Sequence, residues 1–192
     1  MRFYLQLTCF CLLFLGTIVQ AEDEPHLYRT VAGWHILIDP SLGNGCFAIA
    51  EFEEGTALRV GLDMDGQSVY VVVGDSSWRS IEYGKSYKVS IVFGDETPWS
   101  GDATGFSFSP PNDEPYLWIA VSEGDAIDLF VDEFMREKNF QLFYNDELIV
   151  NLNLNGSYKA GLALIECQQE AIQSTKDLFS EAPAPSRDPF EG

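Results

Sequence analysis

The side chains that most often carry out nucleophilic catalysis are sparse in this sequence. The only histidines are His26 and His35. A Ser–His–Asp or Cys–His site needs a histidine that is held near a nucleophile by a third group. His26 lies in a polar stretch, and His35 lies between apolar residues, where it is predicted to face outward from a strand. The sequence therefore nominates no catalytic residue.

Carboxylates, by contrast, are abundant, with 30 aspartates and glutamates in the chain. A hydrolase that works through two of them needs one acid whose pKa is raised by burial or by its partner. Spacing along the chain does not reveal burial. A hydrolase with a buried carboxylate pair therefore stays open as an alternative function.

Two segments have a partial likeness to ligand-binding loops. Asp63–Gly66 resembles a fragment of a calcium loop, but the first and twelfth positions of that loop would be Gly61 and Val72 instead of acids. The glycines of segment 101–105 are followed by neither a lysine nor a predicted helix, which excludes a phosphate loop. We predict no metal and no cofactor.

Trp99 differs from the other tryptophans because its neighbours in segment 95–101 are polar. An aromatic side chain on a polar loop can anchor a partner. It can equally fold back over the edge of the sheet as a lid. Trp99 and the nearby Asp102 are our candidate recognition residues, with the lid as the alternative. Core positions are predicted for the other three tryptophans, which lie in or beside apolar runs: Trp34, Trp78 and Trp118.

The N-terminus has the pattern of a secretory signal peptide over residues 1–21. Arg2 supplies a positive charge, an apolar run covers 3–19, and Val19-Gln20-Ala21 has the small–x–small form of a cleavage site. The run falls short of the ~20 clean apolar residues that a membrane span needs. We predict cleavage after Ala21, no membrane insertion afterwards, and export to the periplasm, with an extracellular location as the alternative.

Cleavage would leave Cys46 and Cys167 as the only cysteines, since Cys9 and Cys11 lie in the signal segment. In an oxidising compartment, two cysteines without other cysteine partners most often form a disulfide with each other. The alternatives are two free thiols or a metal site, but a zinc site needs about four ligands. We predict a structural Cys46–Cys167 disulfide.

The chain is strongly acidic, with a formal net charge of −19. Such a body repels nucleic acid and anionic membrane surfaces, so neither is an expected partner. The charge is explained by solubility, or by a basic protein partner that is attracted at long range.

Short alternating apolar runs separated by turn residues predict a mainly β fold from Val31 onward. Apolar residues from Ile127 to Met135 recur with a helical period, which predicts an inserted helix at about 125–138. Ser157 begins a last predicted helix that reaches about Gln173. We expect an antiparallel β-sandwich or open barrel of eight or nine strands over 31–174, with a mobile leader over 22–30 and a disordered tail over 175–192.

Several motifs resemble a group of uncharacterised exported alphaproteobacterial proteins, over about Gly33 to Cys167. They are Gly33-Trp34, Gly45-Cys46-Phe47-Ala48, Ser77-Trp78-Arg79-Ser80, Trp99–Gly105 and Leu152–Ala160 with the following Cys167. The early Trp and Cys and the Gly-Ser-helix-Cys ending are more distantly similar to the invasion-associated locus B family of periplasmic proteins. The resemblance implies a periplasmic β-sandwich-like domain with a paired Cys46 and Cys167, and supplies no catalytic residue.

We therefore expect a non-enzymatic exported binding or envelope accessory protein. We expect its partner to be a protein in preference to a nucleotide. The carboxylate-pair hydrolase is one alternative. Another is an inhibitor of a basic hydrolase such as a lysozyme, which rests on charge complementarity alone.

Overall fold

The computed structural model describes residues 24–107, 115–122 and 124–180. Within them the chain forms ten strands and two helices, joined by short connections. The strands are β1 (His26–Val31), β2 (Trp34–Asp39), β3 (Gly45–Glu51), β4 (Thr56–Leu62), β5 (Val69–Asp75), β6 (Ser86–Phe93), β7 (Trp99–Phe106), β8 (Tyr116–Val121), β9 (Asn139–Tyr144) and β10 (Glu147–Asn153). The helices are α1 (Asp125–Arg136) and α2 (Ser157–Ser180).

All ten strands belong to one antiparallel sheet in the order β1-β2-β3-β4-β5-β8-β7-β6-β9-β10. The expected mainly β antiparallel fold, with one inserted helix and one C-terminal helix, is confirmed. Tight turns set the register between neighbours. Asn145 and Asp146, for example, both adopt positive φ between β9 and β10, as a two-residue hairpin turn requires.

The two faces of the sheet carry different side chains because successive residues of a strand point to opposite sides. In β5, Val69, Val71 and Val73 join the main core, while Tyr70 and Val72 join a smaller cluster on the other side. We call the face that packs against α1 and α2 the inner face and the opposite one the outer face. Phe130 and Phe134 of α1 are fully buried in the core of the inner face.

The sheet curls so that the start of β2 lies close to the chain just beyond β10. Ten strands spaced ~4.8 Å apart would span about 43 Å if they lay flat. Instead, the Trp34 indole N–H donates to the carbonyl of Asn155, just beyond β10, at 3.1 Å. Helix α2 starts beside this contact and packs against the first three strands, where Glu166 pairs with Arg29 of β1 at 2.9 Å. The C-terminal helix therefore connects the last strand to the first ones.

A disulfide fastens α2 to the sheet, as predicted. Cys46 of β3 is bonded to Cys167 of α2, with Cα atoms 6.1 Å apart and both side chains buried. The adjacent Gln168 reinforces the junction: its amide oxygen accepts from the Cys46 N–H, and its amide nitrogen donates to the carbonyls of Asp63 and Met64. This buried amide therefore has partners for its oxygen and its nitrogen.

Several boundaries differ from those expected. Residues 26–31 form β1 instead of a mobile leader, because their backbone pairs with β2 and Tyr28 and Val31 pack against the core. This strand brings the total to ten instead of eight or nine. Strand β7 begins at Trp99, inside a segment expected to be a loop, because the pairing of Trp99 with Ile91 of β6, and of the residues that follow it, overrides the Gly/Ser/Asp composition.

The helices also differ slightly from the expectation. Helix α1 ends at Arg136, and α2 continues to Ser180, so residues 175–180 are helical instead of disordered. The predicted signal peptide and the rest of the predicted tail lie outside the described residues. Among the described residues, neither helix combines the length and apolar character that crossing a membrane requires.

Candidate functional site

Strands β7 and β8 separate at one end, and a cleft opens between them. Their pairing runs from Phe106↔Tyr116 to Ala103↔Ile119 and stops there, although β7 continues back to Trp99. The cleft has a volume of about 310 Å³ and is lined by both diverging strands and the start of α1. We call this opening the β7–β8 cleft.

The backbone of Ser100 faces this cleft. Gly105 of β7 exchanges hydrogen bonds with Gly84 and Lys85, on the β6 side of the strand. Because the hydrogen-bonding direction alternates along a strand, the N–H and C=O groups of Ser100 point the other way, toward β8. Within the described residues, no β8 position is paired with Ser100. This stretch of β7 is therefore an internal strand edge.

Trp99 folds inward beneath the cleft. Its indole N–H donates to Glu133 of α1 at 2.6 Å, and its ring packs edge-on against Phe130 with centroids 5.2 Å apart. Glu133 is only 4% exposed. Trp99 is half-buried, in keeping with the lid alternative, and it also lines the cleft. It therefore forms part of the apolar wall.

Asp102 reaches the same cleft from the outer face. Its carboxylate accepts from Lys88 at 2.8 Å and from the hydroxyl of Ser86 at 3.0 Å. The hydrogen bond from Lys88, and to a smaller extent the one from Ser86, lowers the pKa of the exposed Asp102 carboxyl. Both candidate recognition residues thus line one cleft, from opposite faces of the sheet.

A second feature, not expected from the sequence, is a buried ion pair on the outer face. The Arg59 guanidinium of β4 lies 2.6 Å from the carboxylate of Asp39, and their side chains are 6% and 3% exposed. The guanidinium also donates to the hydroxyl of Tyr70 and lies over the ring of Phe47, 3.5 Å from its centroid. Burial raises the pKa of Tyr70 to about 12, so its hydroxyl is neutral at physiological pH.

Aromatic rings extend this cluster because glycines on the next strands leave room for them. A Cβ at Gly61 would overlap the Tyr70 ring, and one at Gly74 would overlap the Tyr116 ring. Each glycine is paired in register with the aromatic residue that covers it. Trp118 stacks on Tyr70 with ring centroids 4.3 Å apart. Trp118, for which a core position was predicted, packs against the smaller hydrophobic cluster of the outer face, because its position in β8 points outward.

Beside this cluster lies a groove of about 490 Å³, which we call the Arg59 groove. Its wall is mostly apolar, with Arg59 in the floor and two glutamates at the margin. The apolar lining consists of Pro25, Leu37, Phe47, Ile49, Ala57, Val72 and Tyr116, and the glutamates are Glu24 and Glu51. Its size and its apolar lining with few polar groups are those of small-molecule sites in proteins.

The carboxylate chemistry that the sequence left open finds little support among the described residues. Their buried acids are Asp39 and Glu133. Asp39 is paired with Arg59 on the outer face, whereas Glu133 lies on α1 against the inner face. The sheet separates them, so they do not form an acid–base pair. His35 is exposed and its ring contacts the hydroxyl of Thr30 at 2.9 Å.

The Arg59 groove left no distinctive sign in the sequence. In β4, Arg59 and Gly61 alternate with Leu58, Val60 and Leu62. This pattern is that of any strand with one apolar face and one polar face. The other members of the cluster come from different strands, and only the register brings them together.

Comparison with known proteins adds no assignment to these two sites. The chain matches no protein family model, no curated protein and no solved structure.

Proposed function

We propose that this chain is a non-enzymatic exported binding protein whose β7–β8 cleft takes an extended segment of a basic protein partner. The observation that carries the proposal is the internal strand edge at Ser100. A strand edge binds an extended peptide through its main chain, and neighbouring pockets select the side chains.

The walls of the cleft suit such a segment. Apolar side chains, among them Trp99 and Phe130, line its inner side, and Asp102 lies at its outer side. Helix α1 begins beside the cleft and exposes Asp128 to solvent. The net charge of −19, to which the exposed Asp128 contributes, favours a positively charged partner and speeds its association.

Two features support export: the signal-peptide pattern of the N-terminus and the disulfide. The Cys46–Cys167 bond is compatible with an oxidising compartment. N-terminal sequencing of the mature protein tests this part directly. We expect it to begin at Glu22, and a mature chain that still begins at Met1 would contradict it.

The binding test is capture from the envelope extract of the source organism by the tagged, exported chain, at low and high salt. We expect a basic protein that is retained at low salt and released at high salt, because screening weakens attraction between exposed charges. Two variants decide whether the cleft is the site. Ser100→Pro removes the N–H that faces the cleft, whereas Ser100→Ala removes only the hydroxyl, which bonds to Ser90.

Capture that is lost in Ser100→Pro and kept in Ser100→Ala supports the proposal. Capture that is equal in both variants places the partner elsewhere on the surface and overturns the assignment to the cleft. Both variants are checked for the wild-type thermal transition before they are compared.

One member of the proposed partner class is a basic hydrolase such as a lysozyme. The charge of the chain favours such a complex, and inhibition of a purified lysozyme at low salt is its test. Undiminished lysozyme activity at a large excess of the chain would remove this candidate and leave the other basic partners open.

A further inference from the structure

We propose that the Arg59 groove is a second binding site, for a small amphiphilic cation with an apolar body and an ammonium head. This site is separate from the β7–β8 cleft and does not depend on it. The groove lies over β2–β5 and the first residue of β8, Tyr116, whereas the cleft lies between β7 and the last residues of β8.

The apolar body is inferred from the wall of the groove. Leu37, Ile49 and Val72 come from three different strands and line one side-chain surface. Burying apolar ligand surface against such a wall is favourable because that surface is removed from water. A volume of about 490 Å³ accommodates a ligand of drug-like size.

The positive head is inferred from the charges around the groove. Arg59 is the one cation among the described lining residues, and Asp39 neutralises it at 2.6 Å. Glu24 and Glu51 at the margin are exposed and leave an excess of negative charge. The groove therefore attracts an ammonium group and repels a carboxylate or a phosphate.

The floor of the groove is fixed before a ligand arrives. Arg59 is held by Asp39 and Tyr70, and the Tyr116 ring is seated over Gly74. A preformed wall lowers the ordering cost of binding. An aromatic residue in the wall also attracts a cation through the face of its ring.

The test uses isothermal titration calorimetry of the exported, purified chain with decyltrimethylammonium, kept below its micelle concentration. Decyl sulfate is the probe of equal chain length and opposite charge. We expect saturable binding of one decyltrimethylammonium per chain and no saturable binding of decyl sulfate. Equal binding of both probes, or no binding of the cation, would overturn the proposal.

Two glutamates of similar exposure provide the matched variants. Glu51→Gln removes a charge from the margin of the groove and is expected to lower the affinity for the cation by up to about fivefold. Glu53→Gln removes a charge that does not line the groove and is expected to leave the affinity unchanged. An equal loss in both would indicate binding to the acidic surface in general and would refute the site.

A third variant tests the apolar wall. Ala57→Phe fills the groove and is expected to abolish saturable binding, whereas Thr104→Phe adds the same ring at an exposed position of β7 and is expected to preserve it. If Ala57→Phe does not fold, the comparison of Glu51→Gln with Glu53→Gln decides. Ser100→Pro, which impairs the cleft, is expected to bind the cation normally, so the two proposals fail separately.

Discussion

Arg59 and Asp39 form a salt bridge at 2.6 Å that is almost completely buried on the outer face of the sheet. Water is excluded from both charges, so each depends on the other for compensation. Removing one partner of a buried pair leaves an unpaired charge, whereas replacing both by apolar residues is often tolerated.

The first prediction therefore concerns Asp39→Asn. We expect it to lower the free energy of unfolding by about 3–5 kcal/mol, because the Arg59 charge stays buried without its counter-charge. Urea denaturation measures the change. Asp102→Asn is the control, since it removes an exposed carboxylate that also pairs with a cation, and little change is expected there. If Asp39→Asn lowers the free energy of unfolding as little as Asp102→Asn does, the result would contradict the burial of the pair.

The second prediction concerns acid. Burial alone raises the pKa of Asp39, but hydrogen bonds from Ser41 and Arg59 and the Arg59 charge outweigh it, and the net pKa is lowered. Hydrogen bonds from Ser77 and Thr56 lower the pKa of Asp75. A depressed folded-state pKa contributes stability above the unfolded value of about 4, and this contribution is lost as the pH falls through the folded value.

Stability should therefore change little from pH 7 to 5 on account of these groups and fall below about pH 4. Urea midpoints across this range measure it. Asp75→Asn should show a shallower fall than the wild type. A fall of the same steepness in that variant would exclude Asp75 as a contributor.

The third prediction concerns the disulfide between Cys46 and Cys167. Replacing both by alanine is expected to cost roughly 3–5 kcal/mol, because the bond closes a loop with a sequence separation of 121 residues. Both side chains are buried, so alkylation should require reduction under denaturing conditions. Intact mass with and without reductant is the measurement. Two thiols that react in the native, unreduced protein would contradict the bond.

The fourth prediction separates two neighbouring glutamines of α2. Gln168→Leu leaves the Cys46 N–H and the carbonyls of Asp63 and Met64 without this partner, at a cost of about 1–3 kcal/mol. Gln169→Leu alters an exposed position and should have little effect. Thermal unfolding of the two variants gives the comparison. Equal stabilities would show that water replaces the Gln168 amide.

The fifth prediction uses two glycines on strands. Gly74→Ala would drive a Cβ into the Tyr116 ring, whereas a Cβ at Gly101 meets nothing within 4 Å. We expect Gly74→Ala to lower the melting temperature and weaken decyltrimethylammonium binding, and Gly101→Ala to leave both unchanged. If Gly74→Ala changes neither the melting temperature nor the binding, the position of the Tyr116 ring does not depend on the space that Gly74 leaves.

Local patterns in the sequence predicted much of the fold. Alternation predicted the central strands, a 3.6-residue period predicted α1, and the export pattern singled out Cys46 and Cys167. Composition was misleading at β7, where Ser100 and Gly101 resemble a loop but pair with β6. Tertiary pairing outweighs strand propensity at such positions.

The candidate sites were less accessible to prediction. Trp99 and Asp102 could be nominated because an aromatic residue among polar neighbours is visible in a sequence. The separation of β7 from β8 beyond Ala103 is not visible there, since it follows from where the pairing stops. The Arg59 groove combines residues from five strands, and only the sheet order brings them together.

The disulfide between α2 and β3 joins two residues that are synthesised at very different times. Synthesis proceeds from the N-terminus, so Cys46 emerges 121 residues before the cysteine with which it pairs. Until α2 follows, the early strands lack the helix that covers their inner face. Contacts between such distant segments make folding slow. A chain that has been synthesised only as far as β10 therefore holds Cys46 without its partner and the first strands without the helix that packs against them.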